Sequence, residues 1–422
     1  MTEFKIPKSI RAYADIRTEK SQGERFYIDD GSLSRHLRIF RSGSLCRVAT
    51  KDGFLSNNDW SGLSARQNKF SKFIQSILEK ESSTLDSSNI VNGDEEFSVP
   101  RNLIEMGQEF SEKVGLRYTW EKKAIRFLSN FAGEKHKIEK MKLVRADAKF
   151  KIKNHSLHVR KFIYDPSVEG LKNALTKLTS LSKDLKGARA IKPLRNAKVI
   201  LHPSLASVWL HEVVGHWIEI LSGKLMVKSW IGQRICEQDL TVRDTPVANE
   251  QFQFLFDEEG INSREIVLID KGIFHEPYLT LWSAYQSQFS KVNGHARAQD
   301  FKFQPTARMM NIVMNPGSVS IEDMLHEVND GYILYGSLGG IREPNHYQVQ
   351  SQYGYKIEKG KLSYPIFGPL ILGNNGTALR SLRCIGQDYQ FVFDGGCLSG
   401  GQFLERSGRG APYILLEDID LL

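Results

Sequence analysis

The chain has 422 residues, 41% hydrophobic and 25% charged, which is the composition of a globular protein long enough for two or three ordinary domains. No window approaches the roughly 18 consecutive apolar residues of a membrane-spanning helix, and residues 1–15 lack the apolar segment of an export signal. Four scattered cysteines are too few for a disulfide scaffold, so we expect a cytoplasmic protein with free thiols: Cys46, Cys236, Cys384 and Cys397.

The formal net charge of +8 raises the question of nucleic-acid binding. Much of the excess positive charge lies in residues 133–161 and 183–198. The first of these stretches alternates basic with apolar residues, as a half-exposed strand does, and lacks a pattern of aromatic residues for base stacking. We therefore interpret the charge as a solvated basic face and keep nucleic acid as the weaker alternative.

Hydrophobic periodicity predicts two amphipathic helices in the first half of the chain. Their apolar positions are Phe70, Phe73, Ile74, Ile77 and Leu78 in the first helix, and Leu171, Leu175, Leu178 and Leu185 in the second. The second helix should end at Gly187. Residues 37–56 and 124–152 are typical of strands around turns, and the polar residues 81–96 of an exposed loop. The mixture predicts an N-terminal domain of mixed α/β structure over residues 1–194.

The second half is richer in strand patterns. A short strand over residues 197–203 leads into a helical stretch, and turns at 270–272 and 358–361 divide later strand segments. One helix should lie between Ser320, as its N-cap, and Gly331, as its stop. We therefore predict an α+β protein in which residues 195–422 form a mostly antiparallel β domain that carries this helical stretch.

The helical stretch contains the sequence LHEVVGHW, in which the second histidine follows the first by five residues. In a straight α-helix, His211 and His216 would point about 140° apart. Binding of one metal ion by both needs a π-type turn or a break near Gly215, which suits a distorted helix because it lacks a Cβ. On this stretch alone, a metal site and a pair of histidines satisfied within a core remain equally open.

Two histidines leave a catalytic zinc ion one protein ligand short, since such sites usually supply three ligands and leave one position for water. Cys397 is the best candidate for the third ligand, because the glycine pairs around it allow the backbone to bend closely around an ion. By itself, a cysteine in a glycine-rich turn is more often an inert thiol.

Several segments, in order along the chain, resemble the TldD/PmbA family, and specifically its TldD-type metallopeptidases. The segments are VILHPSLASVWLHEVVGHWIE, DEEGINSREIVLIDKGIFHEPYL, QPTARMMNIVMNPGS and GGCLSGGQ. In the first half, YADIRTEK, GSLCRVATKDGFLSNND and IRFLSNFAGE look like the family's N-terminal domain. The resemblance therefore runs over nearly the whole chain.

This resemblance implies an H-E-x-x-x-H zinc peptidase in which His211, His216 and Cys397 bind Zn²⁺ and Glu212 is the catalytic base. It also suggests that Glu219 and Gly215 lie next to the metal ligands and support them without binding the metal. Arg308, in the third matching segment, is a candidate for contacting the substrate.

The sequence departs from the family pattern directly after the second histidine. Trp217 stands where the family usually has a small residue, and the family's G-L-E-G-D run is replaced by WIEILSG. The metal ligands survive, so these changes bear on the adjacent cleft and on the substrate.

Three hypotheses follow from these observations. The leading one is a cytoplasmic zinc peptidase that hydrolyses unfolded or extended peptides. It would bind them as an added strand at a sheet edge. The second is the same chemistry used to mature a peptide natural product or to remove its leader. The third is a non-catalytic PmbA-like subunit or peptide-binding module, against which the four intact site residues argue. We also expect a dimer, either with a PmbA-type homologue or with a second copy of the chain.

Overall fold

The computed structural model describes residues 13–29, 32–50, 53–57, 105, 109, 114–129, 133–152, 155–164, 167–248, 252–393 and 395–422. The predicted helix around Phe70–Leu78 and the predicted loop at 81–96 lie outside these residues. None of the helices in the described ranges is both long enough and apolar enough to cross a membrane.

The N-terminal half forms a six-stranded sheet of long antiparallel strands. The strands are β1 (Ala14–Asp29), β2 (Ser32–Thr50), β3 (Gly53–Asn57), β4 (Val114–Ser129), β5 (Gly133–Ile152) and β6 (His155–Tyr164). Their order across the sheet is β3-β2-β1-β4-β5-β6. Strand patterns predicted within 37–56 and 124–152 fall inside β2–β3 and β4–β5.

Helix α1 (Val168–Asp184) covers one face of this sheet. Ser167 caps its N-terminus by accepting a hydrogen bond from the Gly170 N–H. Its predicted apolar stripe packs into one core with Leu116 and Val144 of the sheet. The helix ends at Asp184 with Leu185 as its C-cap, close to the predicted stop at Gly187.

A second sheet of eleven strands makes up most of the C-terminal half. Its strands are β7 (Leu194–Leu201), β8 (Val242–Asp244), β9 (Ile266–Asp270), β10 (Ile273–Phe274), β13 (Asn311–Met314), β14 (Asp330–Arg342), β15 (His346–Glu358), β16 (Lys361–Phe367), β17 (Leu370–Asn374), β18 (Leu382–Val392) and β21 (Gly408–Leu421). Two short hairpins lie outside it: β11 (Ala296–Arg297) with β12 (Thr306–Ala307), and β19 (Cys397–Ser399) with β20 (Gln402–Leu404). Pairing is antiparallel except between β13 and β21 and between β14 and β7. The α+β class with a β-rich C-terminal half is thus confirmed, while the division between residues 194 and 195 stays a prediction.

The described residues of the C-terminal half also contain several helical segments. They are α2 (Pro203–Leu210), a π-helix (His211–Gly215), α3 (His216–Ser222), a 3₁₀ helix (Leu225–Trp230), α4 (Leu281–Gln286) and α5 (Ile321–Val328). Ser320 caps α5 as predicted, but the helix ends three residues before the predicted stop at Gly331. The helix ends at Val328, because Asn329 takes up a left-handed backbone conformation with a φ of 54°, and strand β14 already begins at Asp330.

Helix α2 carries the π-helix into the C-terminal core. Residues Leu205–Leu210 of this helix are fully or almost fully buried, and the helix packs against β14 and β21. The indole N–H of Trp209 donates to the hydroxyl of Tyr347 at 3.2 Å, so that its polar atom is satisfied inside the core. The segment that follows α2 is therefore held at a fixed position by the surrounding strands.

Candidate metal centre

A single π-helical turn brings the two motif histidines together. The N–H of His216 donates to the carbonyl of His211, which is an i→i+5 hydrogen bond. The two imidazole rings lie edge to face with centroids 4.7 Å apart, at an interplanar angle of 82°. The predicted helix distortion between His211 and Trp217 is confirmed, and it turns side chains five residues apart toward one point.

Cys397 meets the two histidines from the start of hairpin β19–β20. Its Sγ lies 3.2 Å from His211 Nε2 and 3.4 Å from His216 Nε2. All three side chains are buried, and their ligand atoms lie within 4.8 Å of one another. Glycine is needed before the cysteine, because a Cβ at Gly396 would lie only 2.5 Å from the carbonyl oxygen of Leu404.

The three donor atoms fit a zinc ion. Tetrahedral zinc with Zn–N of about 2.0 Å and Zn–S of about 2.3 Å requires N···S separations of about 3.5 Å, close to those found here. Burial, followed by the nearby charges of Arg409, His216 and Arg308, lowers the pKa of His211 well below its ordinary value. This imidazole is therefore neutral, as a metal ligand must be.

Glu219 fixes the orientation of His216. His216 Nδ1 donates to Glu219 Oε2 at 2.8 Å, which leaves Nε2 directed at Cys397. Burial alone would lower the pKa of His216, but its hydrogen bonds to Cys397 and Glu219 raise it to about 10. A proton on Nε2 here occupies the place that a metal ion would take.

Arg308 joins Glu219 to the cysteine hairpin. Its Nε donates to Glu219 Oε1 at 3.2 Å, and its Nη2 lies 3.1 Å from both the carbonyl oxygen and the Sγ of Cys397. The side chain is 3% exposed, and Nη1 also donates to the carbonyl of Ser399. These contacts favour a positioning role for Arg308 over the substrate contact suggested by its sequence.

Glu212 lies beside the cluster in the same π-helical turn. Its Oε2 is 3.8 Å from His216 Nε2. A Cβ at Gly340 of strand β14 would lie 2.6 Å from the Cγ and 2.7 Å from the Oε1 of Glu212, so any larger residue there would displace the Glu212 carboxylate. Burial raises the pKa of Glu212, and this moves the carboxylate toward the range in which a general base works at neutral pH.

Packing favours glycine at position 215, in addition to the helix distortion. Its backbone is helical, with φ −58° and ψ −58°, but a Cβ there would collide with the sulfur of Met309 and approach its Cε to 2.9 Å. The N–H of Met309 in turn donates to Glu219 Oε1 at 3.0 Å. The glycine thus allows the segment that supports Glu219 to lie directly against the motif.

The cluster opens into a cavity of about 640 Å³. Strand β14, hairpin β19–β20 and the N-terminal sheet contribute its walls. Five arginines line it: Arg117, Arg145, Arg160, Arg342 and Arg409. Sequence reasoning missed them, because only the pairing of distant strands places them around one space.

Trp217, where the sequence departs from the family pattern, is not among the described residues that line this cavity. Its ring packs edge to face against Trp230 and Phe274, at centroid distances of 5.4 and 5.7 Å. It is Ile220, from the same altered segment, that lines the cavity.

Residues 195–421, just over half the chain, match the PmbA/TldA metallopeptidase C-terminal domain. The chain belongs to the PmbA/TldD family. Among curated relatives, a metalloprotease of Archaeoglobus fulgidus is 30% identical over 228 residues, which are 53% of this chain and 52% of the relative. A zinc metalloprotease TldD homolog of Saccharolobus solfataricus is 31% identical over 229 residues, or 52% and 50% of the two chains. The chain thus spans about half the length of the curated relatives it matches.

Solved structures extend the likeness in fold to the whole chain. TldE from Thermococcus kodakarensis superposes with a TM-score of 0.67 at 15% identity, covering 98% of this chain and 97% of that one. A protein of Thermotoga maritima gives a TM-score of 0.70 at 14% identity, with coverages of 97% and 96%. These identities establish the shared fold alone.

Proposed function

We propose that this protein is a cytoplasmic, zinc-dependent peptidase that hydrolyses unfolded or extended peptides. The observation that carries the proposal is the convergence of His211, His216 and Cys397 with Glu212 beside them, at the wall of an open cavity. The names of the relatives, metalloprotease and zinc metalloprotease, agree with it.

Each of the four residues has a distinct part in this chemistry. His211, His216 and Cys397 would hold the zinc ion, which when bound lowers the pKa of water toward about 7 and polarises a peptide carbonyl. Glu212 would accept the proton of the attacking water and pass it to the leaving amine. Glu219 keeps the imidazole of His216 in the tautomer that leaves Nε2 free.

Strand β14 supports the preference for extended peptides. It pairs with β15 along one edge, whereas on its other edge the ladder with β7 covers only Tyr332–Leu334. Within the described residues, the edge of β14 beyond Leu334 has no strand partner, and its residues 337–342 line the cavity. A peptide added there as a strand would be recognised mainly through its backbone and would pass Glu212 at Gly340.

A glutamine variant tests this function directly. Zinc-loaded Glu212→Gln should retain one zinc per chain but lose hydrolysis of an unfolded protein substrate, because an amide holds the position without accepting a proton. Products are followed by mass spectrometry beside the zinc-loaded parent. Turnover by the variant at the parental rate would remove Glu212 as the base, and a zinc-loaded parent that cleaves nothing would overturn the peptidase function.

We also propose that the chain acts as a dimer, with a PmbA-type homologue or with itself. PmbA and TldE both occur among the relatives, and a subunit closing over the cavity would admit extended chains while refusing folded ones. Stable pairing should bury at least about 1,000 Å². Sedimentation of the chain, alone and with its nearest encoded homologue, should give a dimer, whereas a fully active lone monomer would contradict this.

A further inference from the structure

Positive charge dominates the cavity around the metal centre. Arg117, Arg145 and Arg160 come from the N-terminal sheet, and Arg342 and Arg409 from the C-terminal one. Among the described residues that line the cavity, Glu212 is the only carboxylate. Like charges gathered around one cavity repel each other unless a ligand or a counter-ion balances them.

The three arginines of the N-terminal sheet are only partly balanced by the protein. Arg117 and Arg145 lie directly opposite each other on β4 and β5, a like-charge pairing that destabilises a sheet. Asp147 accepts from the Nε atoms of both Arg145 and Arg160. One carboxylate therefore serves two of the guanidinium groups.

Arg117 is left without a counter-charge of its own. Its Nε is buried and has no hydrogen-bond partner within the described part of the chain. The carboxylate whose charge favours its ionised form, Glu405, is paired with Arg25 at 2.7 Å. Burial, followed by the charges of Arg25 and Arg145, lowers the pKa of Arg117. A carboxylate bound in the cavity would relieve this repulsion, because its charge is opposite to that of the guanidinium groups.

One of these arginines, Arg160, contacts strand β14 near the point where that strand packs on Glu212. Arg160 Nη1 donates to the carbonyl of Leu338 at 3.4 Å, and Leu338 stands two residues before Gly340, which packs on Glu212. Two residues of strand span about 7 Å. A peptide beside β14 would therefore bring side chains within a few residues of the scissile bond to this arginine group.

We propose that the cavity selects peptides that carry carboxylate groups near the scissile bond, and that Arg117, Arg145 and Arg160 recognise them. This inference rests on the proposed peptidase function. The carboxylates are those of aspartate and glutamate side chains or of a peptide C-terminus, since both offer the same planar pair of acceptor oxygens to a guanidinium.

Peptide binding to the zinc-loaded Glu212→Gln chain tests the inference without requiring turnover. Four fluorescent ten-residue peptides are compared by anisotropy: one rich in glutamate and one with glutamine at the same positions, each with a free or an amidated C-terminus. A carboxylate-bearing peptide should bind about tenfold more tightly than its neutral counterpart. This advantage should shrink as salt is raised toward about 1 M, where the Debye length falls to about 3 Å. An advantage that follows glutamate identifies side chains, and one that follows the free terminus identifies the C-terminal carboxylate. Equal binding of all four, or no binding of any, overturns the proposal.

A matched pair of variants separates local recognition from overall charge. Arg117→Gln should reduce the preference for carboxylate peptides several-fold, and Arg117→Lys should restore part of it. The control is Arg38→Gln, which removes the same charge from a side chain that is 84% exposed on β2 and should leave the preference unchanged. Equal losses in Arg117→Gln and Arg38→Gln would overturn the assignment.

Cleavage by the zinc-loaded parent distinguishes failure of this inference from failure of the proposed function. If the parent cleaves all four peptides equally, the peptidase function stands and the carboxylate preference is wrong. If the chain binds carboxylate peptides selectively but the parent cleaves none of them, the arginine group does recognise carboxylates and the peptidase function is wrong.

Discussion

Replacement of Gly215 by alanine sets local helix propensity against tertiary packing. The backbone at Gly215 is helical, so alanine fits its conformation without strain. Within a helix, alanine is favoured over glycine by about 1 kcal/mol. Local propensity alone therefore predicts that Gly215→Ala stabilises the protein by about this amount.

Packing predicts the opposite result. The new Cβ would overlap the sulfur of Met309, which is 2% exposed, and would lie 3.3 Å from Ile312 Cδ1. Overpacking of this kind typically costs about 1–3 kcal/mol, so the net change should be a loss of about 0–2 kcal/mol after the gain in propensity. Displacement of Met309 should also disturb its hydrogen bond to Glu219, and loss of such support lowers metal affinity by about 10- to 100-fold.

Urea unfolding of the metal-free chain and zinc titration against a chelator measure the two effects. Gly223→Ala is the matched control, because a Cβ there meets nothing closer than the Ile220 carbonyl oxygen at 3.6 Å. The control should stay within about 0.5 kcal/mol of the parent and keep its zinc affinity. A Gly215→Ala chain that is more stable by about 1 kcal/mol and binds zinc like the parent would refute the packing argument.

Three further substitutions test the surroundings of the site. Glu219→Gln should weaken zinc binding by about 10- to 100-fold in chelator competition, and unchanged affinity would exclude a supporting role. Gly340→Ala should keep its zinc but lose about 100-fold in turnover, because a Cβ 2.6 Å from the Glu212 Cγ displaces that carboxylate; parental turnover would contradict this placement. Burial lowers the pKa of His202, whose Nδ1 accepts from the Ser204 N–H at the start of α2, to about 4. The unfolded chain binds this proton from about pH 6.5 downward, so stability should fall by up to about 3 kcal/mol between pH 6.5 and 4. His202→Asn should flatten that pH dependence in urea unfolding, and an unaltered slope would show that His202 is not its source.

The sequence was sufficient to predict the central turn of the site. The five-residue spacing of His211 and His216, with a glycine before the second, required a distorted helix if both were to face one ion. The structure contains that distortion as a π-helix. Cys397 was harder to place, because its 181-residue separation from His216 along the chain carries no geometric information.

Features that depend on tertiary contacts were not predictable from local patterns. The need for glycine at positions 215 and 340 arises from Met309 and Glu212, which approach from other elements. The end of α5 was misplaced because Asn329, rather than Gly331, takes the left-handed conformation that stops the helix. The arginine group was missed because Arg117, Arg145 and Arg160 lie on three different strands, which only the sheet brings together. The alternation of basic and apolar residues around Arg145 is typical of an ordinary solvated strand face.

X-ray absorption at the zinc K-edge of the purified chain tests the account most directly. One equivalent of zinc should show one sulfur at about 2.3 Å and nitrogen or oxygen ligands at about 2.0 Å, and the sulfur shell should disappear in Cys397→Ser. A parent chain that binds no zinc, or a sulfur shell that persists in Cys397→Ser, would contradict the metal centre on which the proposed function depends.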